Sequence, residues 1–386
     1  MMRLQKEVWK KFNLGSIVDE LRVNSQNPIE EGYEKYVGFE HIESDNIYLT
    51  KYGSLDDGIT FKKIFKKNDV LFGKIRAYLN KVAIARFDGI CSGDILVLRT
   101  KDKNHLQQEI LPYYLTTHSF LKCAVDSSIG TTLPRTKWLH LSKKEILLPP
   151  IDEQKMIVAL FNSIKNAIEQ VEVQEKRLKE LRKSLINKLV KEKPSFGNII
   201  KLNMCGEYSI GVIAEEISDR TDNPSESGFD KFIGLEDFES GELFIKSYSS
   251  PEKLVSAMKI CHKGNVLFAR RNAYLKRASI TEYDAVCSGD VIVIKTNENI
   301  IHSKYLVLIM NTDEFWNYAI SNATGTMSKR VKWRDLAKFT FVLPDLEHQQ
   351  SIVKIFEQLE SVIDKLRKQR IALKKLKQNL LNEILG

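Results

Sequence analysis

Two stretches of this chain carry residues suited to gripping a polyanion. The first, Gly73-Lys74-Ile75-Arg76-Ala77-Tyr78-Leu79-Asn80-Lys81, is a basic link between two short apolar runs. A second version follows at Ala269-Arg270-Arg271-Asn272-Ala273-Tyr274-Leu275-Lys276-Arg277. Arginine can bond guanine through two hydrogen bonds and asparagine can bond adenine, while lysine and tyrosine suit phosphates. The other stretch is Thr131-Thr132-Leu133-Pro134-Arg135-Thr136-Lys137-Trp138, with its counterpart Thr326-Met327-Ser328-Lys329-Arg330-Val331-Lys332-Trp333. Small hydroxyl residues and two or three cations follow a glycine there, a composition that fits phosphate contact. A solvated hairpin is the plain alternative for the first stretch, and the doubling of both favours a contact surface. Candidate DNA contacts are therefore Lys74, Arg76, Tyr78, Asn80, Lys81, Thr131, Arg135 and Lys137 in the first half. In the second they are Arg270, Arg271, Asn272, Tyr274, Arg277, Thr326, Lys329, Arg330 and Lys332. Trp138 and Trp333 suit core anchors better than base stackers.

Catalytic signatures are not found. No G-x-x-x-x-G-K-[ST] phosphate loop or dinucleotide turn occurs. Leu148-Pro149-Pro150-Ile151 resembles the amino-methyltransferase tetrapeptide only in its prolines. That chemistry needs Asn or Asp before Pro-Pro and an aromatic after it. Glu153-x-Lys155 resembles part of a nuclease site, but it stands at a helix start without a suitable upstream aspartate. Asp152 and Glu153 suit the positive end of a helix dipole. The seven histidines have no ligand spacing, so no metal site is expected.

The candidate loops must be positioned by a duplicated unit. Leu14-Gly15-x-Ile17 returns as Ile210-Gly211-x-Ile213, and Cys91-Ser92-Gly93-Asp94 as Cys287-Ser288-Gly289-Asp290, an offset of 196. Gly130 and Arg135 return as Gly325 and Arg330, an offset of 195. Two copies of such a period argue against a solenoid. Each copy has strand-like runs: Val70–Phe72, Val82–Ala85 and Ile95–Leu98, then Val266–Phe268, Ala278–Ile280 and Val291–Ile294. A helix is expected over Leu111–Val125 and again from Lys304 to about Ile320. The fold expectation is α+β, without the cadence of a doubly wound sheet.

A long helix closes each copy. Over Asp152–Lys193, Ile157, Phe161, Ile164, Ile168, Val171, Leu178, Leu185 and Leu189 recur at three- and four-residue steps. Over Asp345–Leu385 the stripe is Ile352, Phe356, Leu359, Ile363, Leu366, Leu373, Leu380 and Ile384. Proline precedes each helix. A narrow stripe on a helix this long needs a partner helix, so an antiparallel coiled coil is expected. Glu175 and Arg370 interrupt the stripes at matched places. In a pseudo-twofold pair they would meet near the axis as a polar register pin; the alternative is that both face solvent. The expected domains are residues 1–150 and 194–344, with helices at 151–193 and 345–386.

The 386 residues allow two or three domains, and 43% hydrophobic content supports real cores. A net charge of +9 suggests a polyanionic partner. Five cysteines without a Cys-x-x-Cys pair fit a reducing cytoplasm rather than a disulfide framework. Cys91 and Cys287 suit small core positions. No apolar run approaches a membrane span, and the opening MMRLQKEVWKKF has no apolar core for export.

The chain resembles the specificity subunits of type I restriction–modification systems. The resemblance rests on Leu147-Leu148-Pro149-Pro150-Ile151-Asp152-Glu153-Gln154-Lys155 leading into a long helix. A weaker copy is Val342-Leu343-Pro344-Asp345-Leu346-Glu347-His348-Gln349-Gln350. The openings Trp9-Lys10-x-x-x-Leu14-Gly15 and Ile210-Gly211 are similar to those of the family's target-recognition domains. The second copy departs in Pro-Asp for Pro-Pro and in His348 for Glu153. The resemblance implies two target-recognition domains, each reading half of a bipartite, asymmetric site in double-stranded DNA. It implies that the helices set the spacer and dock two adenine-methylating modification subunits, and that restriction subunits complete the nuclease. No catalytic centre or cofactor belongs to such a subunit. S-adenosylmethionine would sit in the modification subunit, and ATP with Mg in the restriction subunit. A coiled-coil scaffold without DNA specificity is the competing reading; it predicts no salt-dependent DNA affinity.

Overall fold

The computed structural model describes residues 6–44, 46–190, 204–326 and 328–386. Residues 191–203, where the first helix was expected to end and the second domain to begin, lie outside these, as do the opening Met1–Gln5 and Met327. The chain divides into two compact units: residues 1–171 with 368–386, and residues 172–367. Each unit therefore holds one globular part and a portion of both long helices.

In the first unit a four-stranded antiparallel sheet has the order Val18–Leu21, Ile95–Thr100, Val70–Gly73, Val82–Ile84. Its inner strands are apolar over residues 70–72 and 95–98 because both faces are covered there. Val70, Phe72, Leu96 and Leu98 enter one core with the helices, while Leu71, Ile95 and Val97 enter a second core with Val37, Phe65 and Cys91. Successive strand side chains point to opposite faces, so a run buried on both sides loses its polar alternation. The second sheet has the order Gly53–Ser54, Lys35–Val37, Gly89–Cys91, Lys63–Phe65, with Lys35–Val37 parallel to Gly89–Cys91. A separate ribbon pairs Lys10–Asn13 with Glu145–Leu148 and brings the start of the unit to the root of the long helix.

The second unit repeats this plan. Ala214–Ile217, Val291–Thr296, Val266–Ala269 and Ala278–Ile280 form the central sheet, and Met204–Ser209 pairs with Thr340–Pro344. Val266 and Phe268 face one core, Leu267 and Val293 the other. Cys91, Cys261 and Cys287 are buried core residues.

The expected helices over Leu111–Val125 and Lys304–Ile320 are each broken in two: Leu111–Leu115 then His118–Asp126, and Ser303–Met310 then Asp313–Ser321. Thr117 and Thr312 cause the break. Each is extended, and its side chain accepts from Phe120 N or Phe315 N, capping the following helix.

The first long helix runs Ile151–Ile186 and the second Leu346–Leu385. The first is shorter than expected, and turns replace it over Asn187–Val190. In the second unit Glu175 lies by Arg367 and Arg182 by Glu360, so one helix ascends as the other descends. In the first unit Ile157 and Phe161 share a core with Leu381, Ile384 and Leu385 from the end of the second helix. The two long helices pack antiparallel as a coiled coil. Of the stripe residues, Ile157, Phe161, Ile352, Ile363 and, in the turns after the first helix, Leu189 are fully buried.

The two glutamines after the prolines bolt these helices in place. Gln154 donates to the carbonyls of His105 (2.7 Å) and Pro149 (2.9 Å) and accepts from Gln107 N (2.9 Å). Gln349 donates to Ile300 O (3.0 Å) and Pro344 O (2.8 Å) and accepts from His302 N (3.0 Å). Both are wholly buried, so each bond replaces one that water cannot supply. Glu153 accepts from Trp9 Nε1 at 2.9 Å, and His348 at the matched place pairs instead with Asp345.

Candidate nucleic-acid interface

The two basic stretches predicted separately are adjacent in each unit. Arg76 N donates to Pro134 O (2.9 Å) and Thr136 N to Lys74 O (3.0 Å). Asn272 N donates to Lys329 O (3.1 Å) and Val331 N to Arg270 O (3.0 Å). One two-loop assembly is thus built twice, from segments about sixty residues apart in sequence.

The first loop of each assembly is a single 3-10 turn, Ala77–Leu79 or Ala273–Leu275, with a left-handed residue at each end. These are Arg76 (φ 47°) and Asn80 (φ 51°), matched by Asn272 (φ 55°) and Lys276 (φ 50°). A left-handed conformation costs a non-glycine residue roughly 1–2 kcal/mol. The turn buries Ala77 and Ala273 and pushes the intervening tyrosines outward, leaving Tyr78 60% and Tyr274 65% exposed.

Aspartates of the Cys-Ser-Gly-Asp motif hold the second loop. Arg135 Nε donates to Asp94 Oδ1 at 3.0 Å, and Arg330 Nε to Asp290 Oδ1 at 2.7 Å. Hydrogen bonding to Arg330 keeps the Asp290 carboxyl below the usual carboxylate range, against the cost of burial. The backbone carbonyls of Asp94 and Asp290 also accept from Lys74 N and Arg270 N, so each aspartate ties both loops together.

The predicted residues separate into two groups. Arg76, Tyr78, Thr131, Lys137, Arg271, Tyr274, Thr326, Lys329 and Lys332 are exposed on the assemblies. Arg135 and Arg330 are engaged with aspartate, and Lys74 Nζ lies 3.9 Å from Asp94. Lys81 donates to Phe39 O (2.8 Å) and Arg277 to Leu235 O (2.8 Å), anchoring the loops from behind. Burial lowers the proton affinity of both. Arg270, Asn80 and Asn272 are half-buried at the loop base. Trp138 and Trp333 are half-buried and pack on the cores.

The first unit also has a cleft of about 550 Å³ beside its assembly, lined by Arg22, Lys63, Lys74, Arg135, Lys137 and Trp138 among others. Arg22 and Lys63 were not anticipated from sequence. Arg22 lies far from the loops in the chain and Lys63 a short way before the first of them, and the fold brings both to one cleft. The doubled Glu20 with Lys63 and Glu216 with Lys259 was the available signal.

In the helix seam, Glu175 is 4% exposed and pairs with Lys179 (3.0 Å) and Arg367 (3.9 Å). It does not face solvent. Arg182 and Glu360 form a second buried ion pair, absent from the sequence expectation. Among the described residues no group of three or more His, Cys, Asp or Glu could hold a metal ion, and no helix is long and apolar enough to cross a membrane.

This duplicated architecture matches the type I restriction modification DNA specificity domain over residues 6–181 and again over 209–375, and the chain belongs to that family. Among curated relatives, it is 26% identical over 411 aligned residues to the putative type I restriction enzyme MjaX specificity subunit of Methanocaldococcus jannaschii, covering 98% of this chain and 93% of that one. It is 31% identical over 152 residues to the type I restriction enzyme EcoDI specificity subunit of Escherichia coli; that match spans 39% of this chain and a third (33%) of the relative. Solved structures share the fold. One, from work on assembly and conformational transition of a type I restriction–modification system, aligns with TM-score 0.63 at 18% identity, covering 97% of each chain. The S subunit from M. genitalium aligns with TM-score 0.56 at 16% identity, covering 98% of this chain and 96% of that one.

Proposed function

We propose that this chain is the non-catalytic DNA-specificity subunit of a type I restriction–modification complex. Its globular parts, within residues 1–150 and 194–344, each read one half of a bipartite, asymmetric site in double-stranded DNA. The long helices set the spacing of the half-sites and dock two adenine-methylating modification subunits, which supply S-adenosylmethionine; restriction subunits bring ATP and Mg. The complex works in the cytoplasm. The observation that carries this reading is the same clamped, cation-bearing two-loop assembly built twice on one scaffold, with different side chains at its tip. A helix of 36 residues is about 54 Å long, enough to hold two readers one DNA turn of about 34 Å apart. The proposal includes an approach of Glu175 to Arg370 in the helix seam, supported by the burial of Glu175.

The test mixes the chain with its neighbouring modification subunit and maps adenine methylation on random-sequence DNA. Methylation is expected at one two-part sequence and only when both proteins are present. Arg76→Asn and Arg271→Ala should each relax a different half. Asparagine is the better probe at position 76, because it tolerates the left-handed backbone and is the residue at the matched position 272. No association with a methyltransferase and no salt-sensitive DNA affinity would leave the scaffold reading. Exchanging charges at Glu175 and Arg370 together should restore stability lost in either single exchange; independent effects would remove the pin.

A further inference from the structure

The two assemblies share a backbone and differ at their tips in a correlated way. Ile75 bridges to Arg135, and at the matched bridge Arg271 faces Arg330. Leu133 stands where the second unit has Ser328, and the Arg271 Nε donates to Ser328 Oγ at 2.7 Å. Ile129 stands where the second unit has Thr324; each bridges to the loop arginine, Arg135 or Arg330. The first tip is thus apolar at three places where the second offers a guanidinium and two hydroxyls. Its apolar side chains are not buried: Ile129 is 63% and Leu133 42% exposed. The N–H of Arg76 bonds the carbonyl of Pro134, next to Leu133, and both Arg76 and Lys137 of this assembly are exposed. Such a surrounding fits a phosphate-lined groove and not an apolar protein face.

We infer that Ile129 and Leu133 form an apolar reading tip for pyrimidine C5-methyl groups in the half-site of the first unit, whereas the second unit reads through hydrogen bonds from Arg271 held by Ser328. In the major groove the only apolar feature on a base edge is the C5-methyl, carried by thymine or by 5-methylcytosine. A guanidinium steered by a hydroxyl matches the two acceptors of guanine. The inference rests on the DNA-reading function proposed above and adds which chemical groups each half distinguishes.

The experiment uses the full chain assembled with its modification subunit. Methylation of the unmodified two-part duplex, and its salt dependence, are measured first; failure there sinks the DNA reading and this inference with it. Each thymine is then replaced singly by deoxyuridine, and each cytosine by 5-methylcytosine. Loss of affinity of about fourfold for at least one thymine is expected in the half assigned to the first unit, the effect of one methylene-sized contact. A gain with 5-methylcytosine alone would identify that base as the source of the methyl. The Ile129→Thr, Leu133→Ser double variant carries residues the same scaffold holds in the second unit, so folding is preserved. It should bind the thymine duplex less tightly and show no further loss with deoxyuridine. Equal sensitivity of variant and parent to the methyl substitution, or no sensitivity to either deoxyuridine or 5-methylcytosine in that half, overturns the inference. So does a double variant that releases the modification subunit while DNA specificity stays intact, since these side chains would then be a protein contact.

Discussion

Glu242 should act as a charge lock between the second globular part and the helices within residues 172–367. Its carboxylate is 3% exposed and accepts from Lys246 Nζ at 2.7 Å and from Arg367 at 2.9 Å, with Lys179 at 3.6 Å. Burial alone would push its pKa up. The bond from Lys246 and the charges of Lys246, Arg367 and Arg182 outweigh burial and bring it down from 4.5 to about 2. Each tenfold change in proton affinity is about 1.4 kcal/mol, so the folded carboxylate contributes at most about 3 kcal/mol. The folded pKa is depressed. The contribution is therefore full above pH 4.5, fades as pH falls from 4.5 towards 2, and vanishes below. Glu242→Gln keeps the shape and removes the charge, leaving Lys246 to Asp364. Hydrogen–deuterium exchange in peptides from 172–367 reads the effect. At pH 7 the variant should lose up to about 3 kcal/mol of protection, and at pH 3 appreciably less. A variant equally weakened at both pH values, or unaffected at pH 7, would refute the reasoning.

Gln154→Leu should cost about 3 kcal/mol in urea unfolding, because the carbonyls of His105 and Pro149 and the N–H of Gln107 lose their buried partner together; a loss under about 1 kcal/mol would show that water replaces the bonds. Gly15→Ala and Gly211→Ala should each destabilise by about 1–3 kcal/mol in the same assay, since an added Cβ would lie 2.7 Å from Ser142 Cβ or 2.9 Å from Ala337 Cβ. Asp290→Asn should weaken DNA discrimination in the second half only, with unchanged heat stability, because it loosens the Arg330 clamp on an exposed loop; relaxed discrimination in both halves would contradict it.

The repeat, the antiparallel helices and the inner strands were legible because each is a pattern of burial, and burial leaves a period in the sequence. The break at Thr117 and Thr312 was not, since two short buried helices in succession look like one apolar stretch. Threonine before Ser119 or Glu314 was the available cue, as an N-cap signal rather than a hydrophobic one. At the candidate interface the sequence located the loops but not which cations are spoken for. Arg135 and Arg76 are equally basic in the sequence, and both are exposed; only the return of Asp94 through the sheet fixes Arg135 in place. Glu175 was visible as a gap in a stripe; Arg182 fills a second gap, between Leu178 and Leu185, that was not singled out, whereas its partner Glu360 falls next to Leu359 and is buried only by the facing helix.

The duplicated chain separates what the scaffold requires from what varies on it. The arginine–aspartate clamps, the glutamine bolts and the left-handed turn ends occur in both copies with nearly the same geometry. The glutamine bolts join buried side chains to backbone, so removing one leaves its partners unsatisfied, while the clamps, nearer the surface, tie the two loops together. The tip residues do not recur, and beyond the glutamine bolts not every contact between globular part and helix does. Tyr48 donates to Asn162 in the first unit, while Lys304 pairs with Glu357 at the place matching Asn162 in the second. These side chains answer to no common partner inside the protein, so they are free to differ with what each half must read or support. A surface whose framework is over-determined and whose tip is unconstrained can change specificity at little cost in stability, which is the physical condition a subunit needs if its targets are to change while its assembly does not.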